Sequence, residues 1–109
     1  MSNPALLAFA ALAINLQAVN CPPPLVAFST DVIQTVCQKQ ALPNHHALSC
    51  YFPGYHLIVL PDSCEGADNH FCNRLAYHEA SRHVRQACLG EVFTDPEPVS
   101  VLQDEELAP

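Results

Sequence analysis

Six cysteines in a short chain, Cys21, Cys37, Cys50, Cys64, Cys72 and Cys88, with no two in a C-x-x-C pair, constrain the fold more than any other feature. A chain of 109 residues makes one domain whose core is modest for its surface, so covalent staples matter to it. The absence of C-x-x-C spacing argues against a structural zinc knuckle or a thioredoxin-type site, and an even cysteine count in a small exported domain points to disulfides. Spacing leaves the pairing open, with one restriction. If Cys72 and Cys88 share a helix, a rise of roughly 1.5 Å per residue separates them far beyond the roughly 7 Å Cα limit of a bridge, so they take different partners. Reduced, buried cysteines in a cytosolic protein are the alternative.

The N-terminus bears on that choice. Met-Ser-Asn-Pro precedes an apolar run from Ala5 to Leu16 broken only by Asn15. The run is too short to span a bilayer, has the length of a signal-peptide apolar region, and is followed by small residues at Ala13 and Ala18 where a peptidase can cut. No Lys or Arg precedes it, so the terminal amine is its only positive charge, and a buried first helix is the other reading. Cys21 lacks the small residue directly before it that a lipid-anchored cleavage site requires. The expectation is a signal peptide over residues 1–18, one domain over 19–109, a secreted or periplasmic location, and no stable membrane span.

Eleven acidic against four basic residues give a formal charge of −7, which provides no electrostatic footprint for nucleic acid or an anionic membrane. Half the residues are apolar and only three are glycine, a composition of a folded domain rather than a disordered one.

After Pro22–Pro24, Leu25 to Phe28 reads as a short strand, and Ser29 or Thr30 caps a helix over about Asp31–Gln40 with Val32, Ile33, Val36 and Cys37 on its apolar face. Pro43 and Asn44 end it, and Leu42–Ser49 reads as a polar loop carrying His45 and His46. Tyr51-Phe52 and Tyr55–Leu60 flank Pro53-Gly54 as a strand pair or one bent strand. A polar loop over Pro61–Asn69 leads to the longest helix, about Asn69–Leu89, with Gly90 at the position favoured for a C-terminal cap. Pro98 starts a last short helix through Leu107. This order indicates an α+β fold, a small two- or three-stranded sheet packed against one long helix and stabilised by disulfides.

The long helix carries the chemistry. A helical H-E-x-x-H sets two imidazoles one turn apart on one face, where both reach a zinc ion, and its glutamate takes a proton from the metal-bound water. His78 and Glu79 supply the first two elements. Arg82 stands four residues after His78, and the next histidine, His83, comes one residue late. At about 100° per residue, Arg82 lies roughly 40° around the helix from His78 and His83 roughly 140°, so His83 joins His78 on one metal only through a local bulge.

An apolar strand ending in Leu60, a polar loop and an amphipathic helix bearing His-Glu resemble the small zincin metallopeptidases with a glutamate third ligand. The likeness covers roughly Leu25 to Leu107 and rests on His78 and Glu79. It implies zinc-dependent hydrolysis of a peptide or protein substrate, with Glu79 as general base and Glu97, or else Glu91, as the distant ligand. Three readings follow. In one, His78 and Glu97 bind zinc with His83 or with His45, His46 or His70. In the second, Arg82 occupies the vacated metal position, where its permanently protonated guanidinium cannot coordinate zinc but pairs with Glu79 or Glu97, and hydrolysis is impaired or lost. In the third, His78, Glu79, Arg82, His83 and Arg85 are a solvated helix face laced by i,i+3 and i,i+4 pairs, in a secreted disulfide-rich binding protein with no catalytic site.

Other groups point to less. Ser63 and Ser81 lack a glycine-rich elbow. Asp62, Glu65 and Asp68 do not follow the calcium-loop pattern. Tyr51, Tyr55 and Tyr77 suit a core or interface, although a tyrosine near a zincin site can donate to an oxyanion. Asp104-Glu105-Glu106 reads as a solubilising tail.

Overall fold

The computed structural model describes residues 21–102; the apolar N-terminal run and the acidic C-terminal segment lie outside that range. Strand β1 (Leu25–Phe28) is followed by helix α1 (Thr30–Thr35). Strands β2 (His45–Phe52) and β3 (Leu57–Leu60), helix α2 (His70–His83) and strand β4 (Glu97–Leu102) follow among the described residues. The strands form one mixed sheet in the order β1-β3-β2-β4. β1 runs parallel to β3, and β2 runs antiparallel to both β3 and β4.

Alternation along the strands assigns the two faces. Tyr51, Ile58 and Leu60 pack with Leu75, Ala76 and Ala80 of α2 and with Cys64 and Cys72. The intervening Cys50 and Val59 pack with Ile33 of α1 and with Cys37. The sheet is therefore covered by α2 on one face and α1 on the other.

The expected first helix is real but shorter. Ser29 caps it by accepting from the Val32 amide, and after Val36 the chain tightens into a 3₁₀ turn over Cys37–Gln40. Tertiary bonds draw that turn onto β2: Cys37 is bridged to Cys50, the Gln38 amide donates to the His45 carbonyl at 2.7 Å, and its oxygen accepts from the Ala47 amide at 2.8 Å. Those bonds also account for a correction. The segment expected as a polar loop becomes strand from His45 onward, because β4 and Gln38 supply backbone partners that local sequence does not reveal.

Two further corrections concern the sheet. It has four strands rather than two or three, because the segment expected to begin a terminal helix at Pro98 is β4, up to the last described residue. Val99 is β-branched, as suits a pleated strand, and Pro98 is tolerated because β4 is an edge strand. The β2–β4 register slips between Ala47 and Ser49, a bulge centred on Leu48.

Helix α2 matches expectation closely. Asn69 caps it by accepting from the Cys72 amide at 2.8 Å, and the buried positions Cys72, Leu75, Ala76, Glu79, Ala80 and His83 recur at spacings of three, four, seven, eight and eleven residues along one face. Burial of Leu75 alone is worth about 1.5–3 kcal/mol. Beyond His83 the helix widens into a π-turn over Val84–Cys88 and ends before Gly90, whose φ of +81° suits glycine. The cysteines pair as Cys21–Cys88, Cys37–Cys50 and Cys64–Cys72, so Cys72 and Cys88 have different partners, as their spacing requires.

Candidate functional site

Two positions on the buried face of α2 are polar, and each meets a different part of the sheet. Glu79 is 0% exposed. Its Oε2 accepts from the Ser49 hydroxyl of β2 at 2.5 Å. Its Oε1 has no hydrogen-bond partner among the described residues and lies 3.8 Å from Nη1 of Arg82, a Coulombic contact too long for a hydrogen bond. The same Nη1 donates to the Glu97 carbonyl of β4 at 2.8 Å. Burial raises the Glu79 carboxyl to about 7, the Arg82 charge and the Ser49 bond oppose that rise, and the Glu97 charge adds to it. Arg82 thus links a buried acid to the edge strand.

His83 belongs to a separate network. Its Nε2 lies 2.6 Å from the Pro22 carbonyl, which only accepts, so Nε2 carries a proton. Burial lowers the His83 pKa, the Pro22 bond opposes that shift, and nearby His56 adds to it. Neutral His83 therefore presents Nδ1 as an acceptor, and the Tyr51 hydroxyl donates to it at 2.9 Å. Oε1 of Gln86 lies 2.7 Å from the same hydroxyl as a second acceptor for its single proton. Burial, then the Glu79 charge, pushes the Tyr51 hydroxyl up to about 12. This network fastens the N-terminal segment and β2 to α2.

A cleft of about 660 Å³ opens on the opposite flank of α2. Arg74, His78 and Arg82 line it from the helix and Glu97 from β4, with His45 of β2 among the remaining lining residues. His78 is exposed, its ring edge-on to Tyr77. Glu97 accepts from the Thr94 amide through Oε1 at 3.0 Å. His45 Nδ1 lies 3.4 Å from the Ser100 hydroxyl.

Among the sequence candidates, His78, Arg82, Glu97 and His45 thus share one cleft, and Glu79 lies beneath Arg82. His83 faces elsewhere. The π-turn begins only at Val84, after His83, so it does not turn that ring toward His78, and both ring nitrogens are already committed. No set of three metal-ligating side chains gathers among the described residues, and His78, His83 and Glu97 do not fit a common zinc ion. Glu91 is drawn off by Arg85 at 3.2 Å, while His46 and His70 are exposed. Asp62 accepts from the Thr30 amide and Asp68 from the Asn73 side chain, which gives both a local structural role.

Ser49, Gln86 and the Pro22 carbonyl are absent from the sequence reading. Ser49 stands two residues before Tyr51, on the same face of a strand, but that signal exists only once the strand is known to start before Tyr51.

No family model and no solved structure matches the chain. A stretch of 62 residues, 55% of the chain, is 40% identical to PHD finger protein rhinoceros of Drosophila melanogaster, of which it covers 2%. All six cysteines of the present chain are paired, which leaves no thiolate to hold zinc in a finger.

Proposed function

We propose that this is a disulfide-stabilised binding domain built on a metallopeptidase-like helix, in which zinc-dependent peptide hydrolysis has been lost and the cleft beside the helix is retained for a peptide or protein partner. The observation that carries the reading is the burial of Glu79 against Ser49 with Arg82 as its counter-ion. A general base must reach solvent or a bound water in the cleft; this carboxylate is enclosed, and the cleft side is covered by a guanidinium. That Arg82 shares the cleft with His78 and Glu97 supports descent from a metal-binding arrangement. The three disulfides favour an oxidising compartment, and no described helix is long and apolar enough to cross a membrane.

Metal analysis of purified protein and digestion of an unstructured peptide mixture with and without added zinc test this. The protein is expected to hold little zinc and to leave the mixture intact. Zinc-dependent cleavage that disappears in Glu79→Gln would overturn the reading.

A further inference from the structure

We infer that the ligand of this cleft is an extended acidic peptide segment with carboxylates at alternate positions, read by the row Arg74, His78 and Arg82. The inference rests on the binding reading above and names its ligand class. The three residues stand four apart on α2 and line one cleft. Four residues of helix advance about 6 Å, while alternate side chains of an extended chain are about 6.7 Å apart, so each helix position meets every second side chain of a strand laid beside it.

Charge selects the chemistry. In a chain of −7 with four basic residues, two of those four line this single cleft. Arg74 is half-buried and has no ion-pair partner among the described residues, unlike Arg85, which Glu91 engages. Arg82 commits Nη1 to Glu97 and Glu79, which fixes its fork while its other N–H groups remain as donors. Glu97 is the opposing charge in the cleft, and its Oε1 is engaged by the Thr94 amide. A carboxylate beside Arg74 gains a bidentate partner that the fold itself leaves unused.

Titration calorimetry of the full chain with three serine-based heptapeptides, carrying alternate glutamates, contiguous glutamates or alternate lysines, tests the inference. The alternate-glutamate peptide is expected to bind tightest, to weaken about tenfold or more in Arg74→Ala, and to recover only part of that loss in Arg74→Lys, which keeps the charge but not the bidentate fork. The imidazole proton signals of His78 and His45 are expected to shift on binding while those of His56 and His83 stay in place, and the same signals verify that each variant is folded. Equal binding of the three peptides, preference for lysine, indifference to Arg74→Ala, or no binding by any peptide would each overturn the ligand class, as would displacement by inorganic phosphate at equal concentration. Cleavage of the bound peptide in the presence of zinc would instead overturn the binding reading beneath it.

Discussion

The Ser49 hydroxyl donates to the Glu79 carboxylate at 2.5 Å across the interface between β2 and α2, and this bond sets the orientation of an acid whose other oxygen faces Arg82. A buried carboxylate with one oxygen lacking a hydrogen bond costs stability when ionised, and Arg82 offsets only part of that cost. The pair therefore makes the domain sensitive to pH from within its core.

Glu79 titrates near pH 7 in the folded chain against an ordinary value of 4.5. The folded state then holds the proton more tightly than the unfolded state between those values, so the contribution is complete below about pH 4.5 and is lost as pH rises through 7. The size is about 3 kcal/mol as an order of magnitude. His83 acts in the opposite sense: its lowered pKa favours the folded state above 6.5 and withdraws that stability as pH falls below it. These two slopes overlap below pH 7 and partly cancel. Urea denaturation from pH 5 to pH 9 is therefore expected to show Glu79→Gln losing the decline between about pH 5 and 7 and keeping the His83 rise alone, with parent and variant running parallel above pH 7. A Glu79→Gln chain whose stability follows pH between 5 and 7 as the parent's does would exclude this carboxyl as a source of the dependence.

The Tyr51–His83 network supplies a second expectation. Tyr51→Phe removes the hydroxyl and leaves neutral His83 Nδ1 buried without its donor, at a cost of about 1–3 kcal/mol. His83→Ala leaves a cavity and also strands the Pro22 carbonyl and the Tyr51 hydroxyl, so its cost is larger, about 3–5 kcal/mol. Both values come from the midpoint and slope of denaturant unfolding. A His83→Ala chain as stable as the parent would show that the network is not structural.

The disulfides are expected to differ in strength by the length of chain they close. Cys21–Cys88 spans 67 residues, Cys37–Cys50 spans 13 and Cys64–Cys72 spans 8. Chain entropy gives about 4 kcal/mol for the first and about 2.5–3 kcal/mol for the others. Paired Cys→Ser replacements, followed by thermal unfolding, should rank in that order. Replacing Cys21 and Cys88 is expected to loosen the Pro22–His83 bond as well, readable as faster exchange of nearby amide protons.

Where local signals agree, the fold was legible in the amino-acid order. The Asn69 cap, the apolar face of α2 and Gly90 all announce one helix, and the separate partners of Cys72 and Cys88 follow from helical rise. The end of β2 at Tyr51-Phe52 was legible, but its first half and β4 were not, because those become strand through β2–β4 pairing and, for β2, through Gln38, contacts distant in sequence. The same limit hid half of the site. His78 and Arg82 were marked by their spacing, but the fate of Glu79 depends on Ser49, and that of His83 on Tyr51 and Pro22, each thirty or more residues away in the chain.

Arg82→His provides the last prediction. Positions 78 and 82 face the same cleft as Glu97, one helical turn apart, so the variant sets two imidazoles at ligand spacing opposite a carboxylate. It also withdraws the positive charge that partly neutralises Glu79, and a bound divalent cation would replace that charge near the same position. Zinc affinity, measured by competition with a chromophoric chelator, is expected to tighten at least about tenfold over the parent chain. Adding Glu97→Gln is expected to reverse most of the gain, whereas His83→Gln, directed at a ring that faces Pro22 and Tyr51, is expected to leave it unchanged. If Arg82→His binds zinc no better than the parent, the likeness of this helix to a metallopeptidase helix stops at the His-Glu pair, and the binding cleft stands without a metal-binding ancestry.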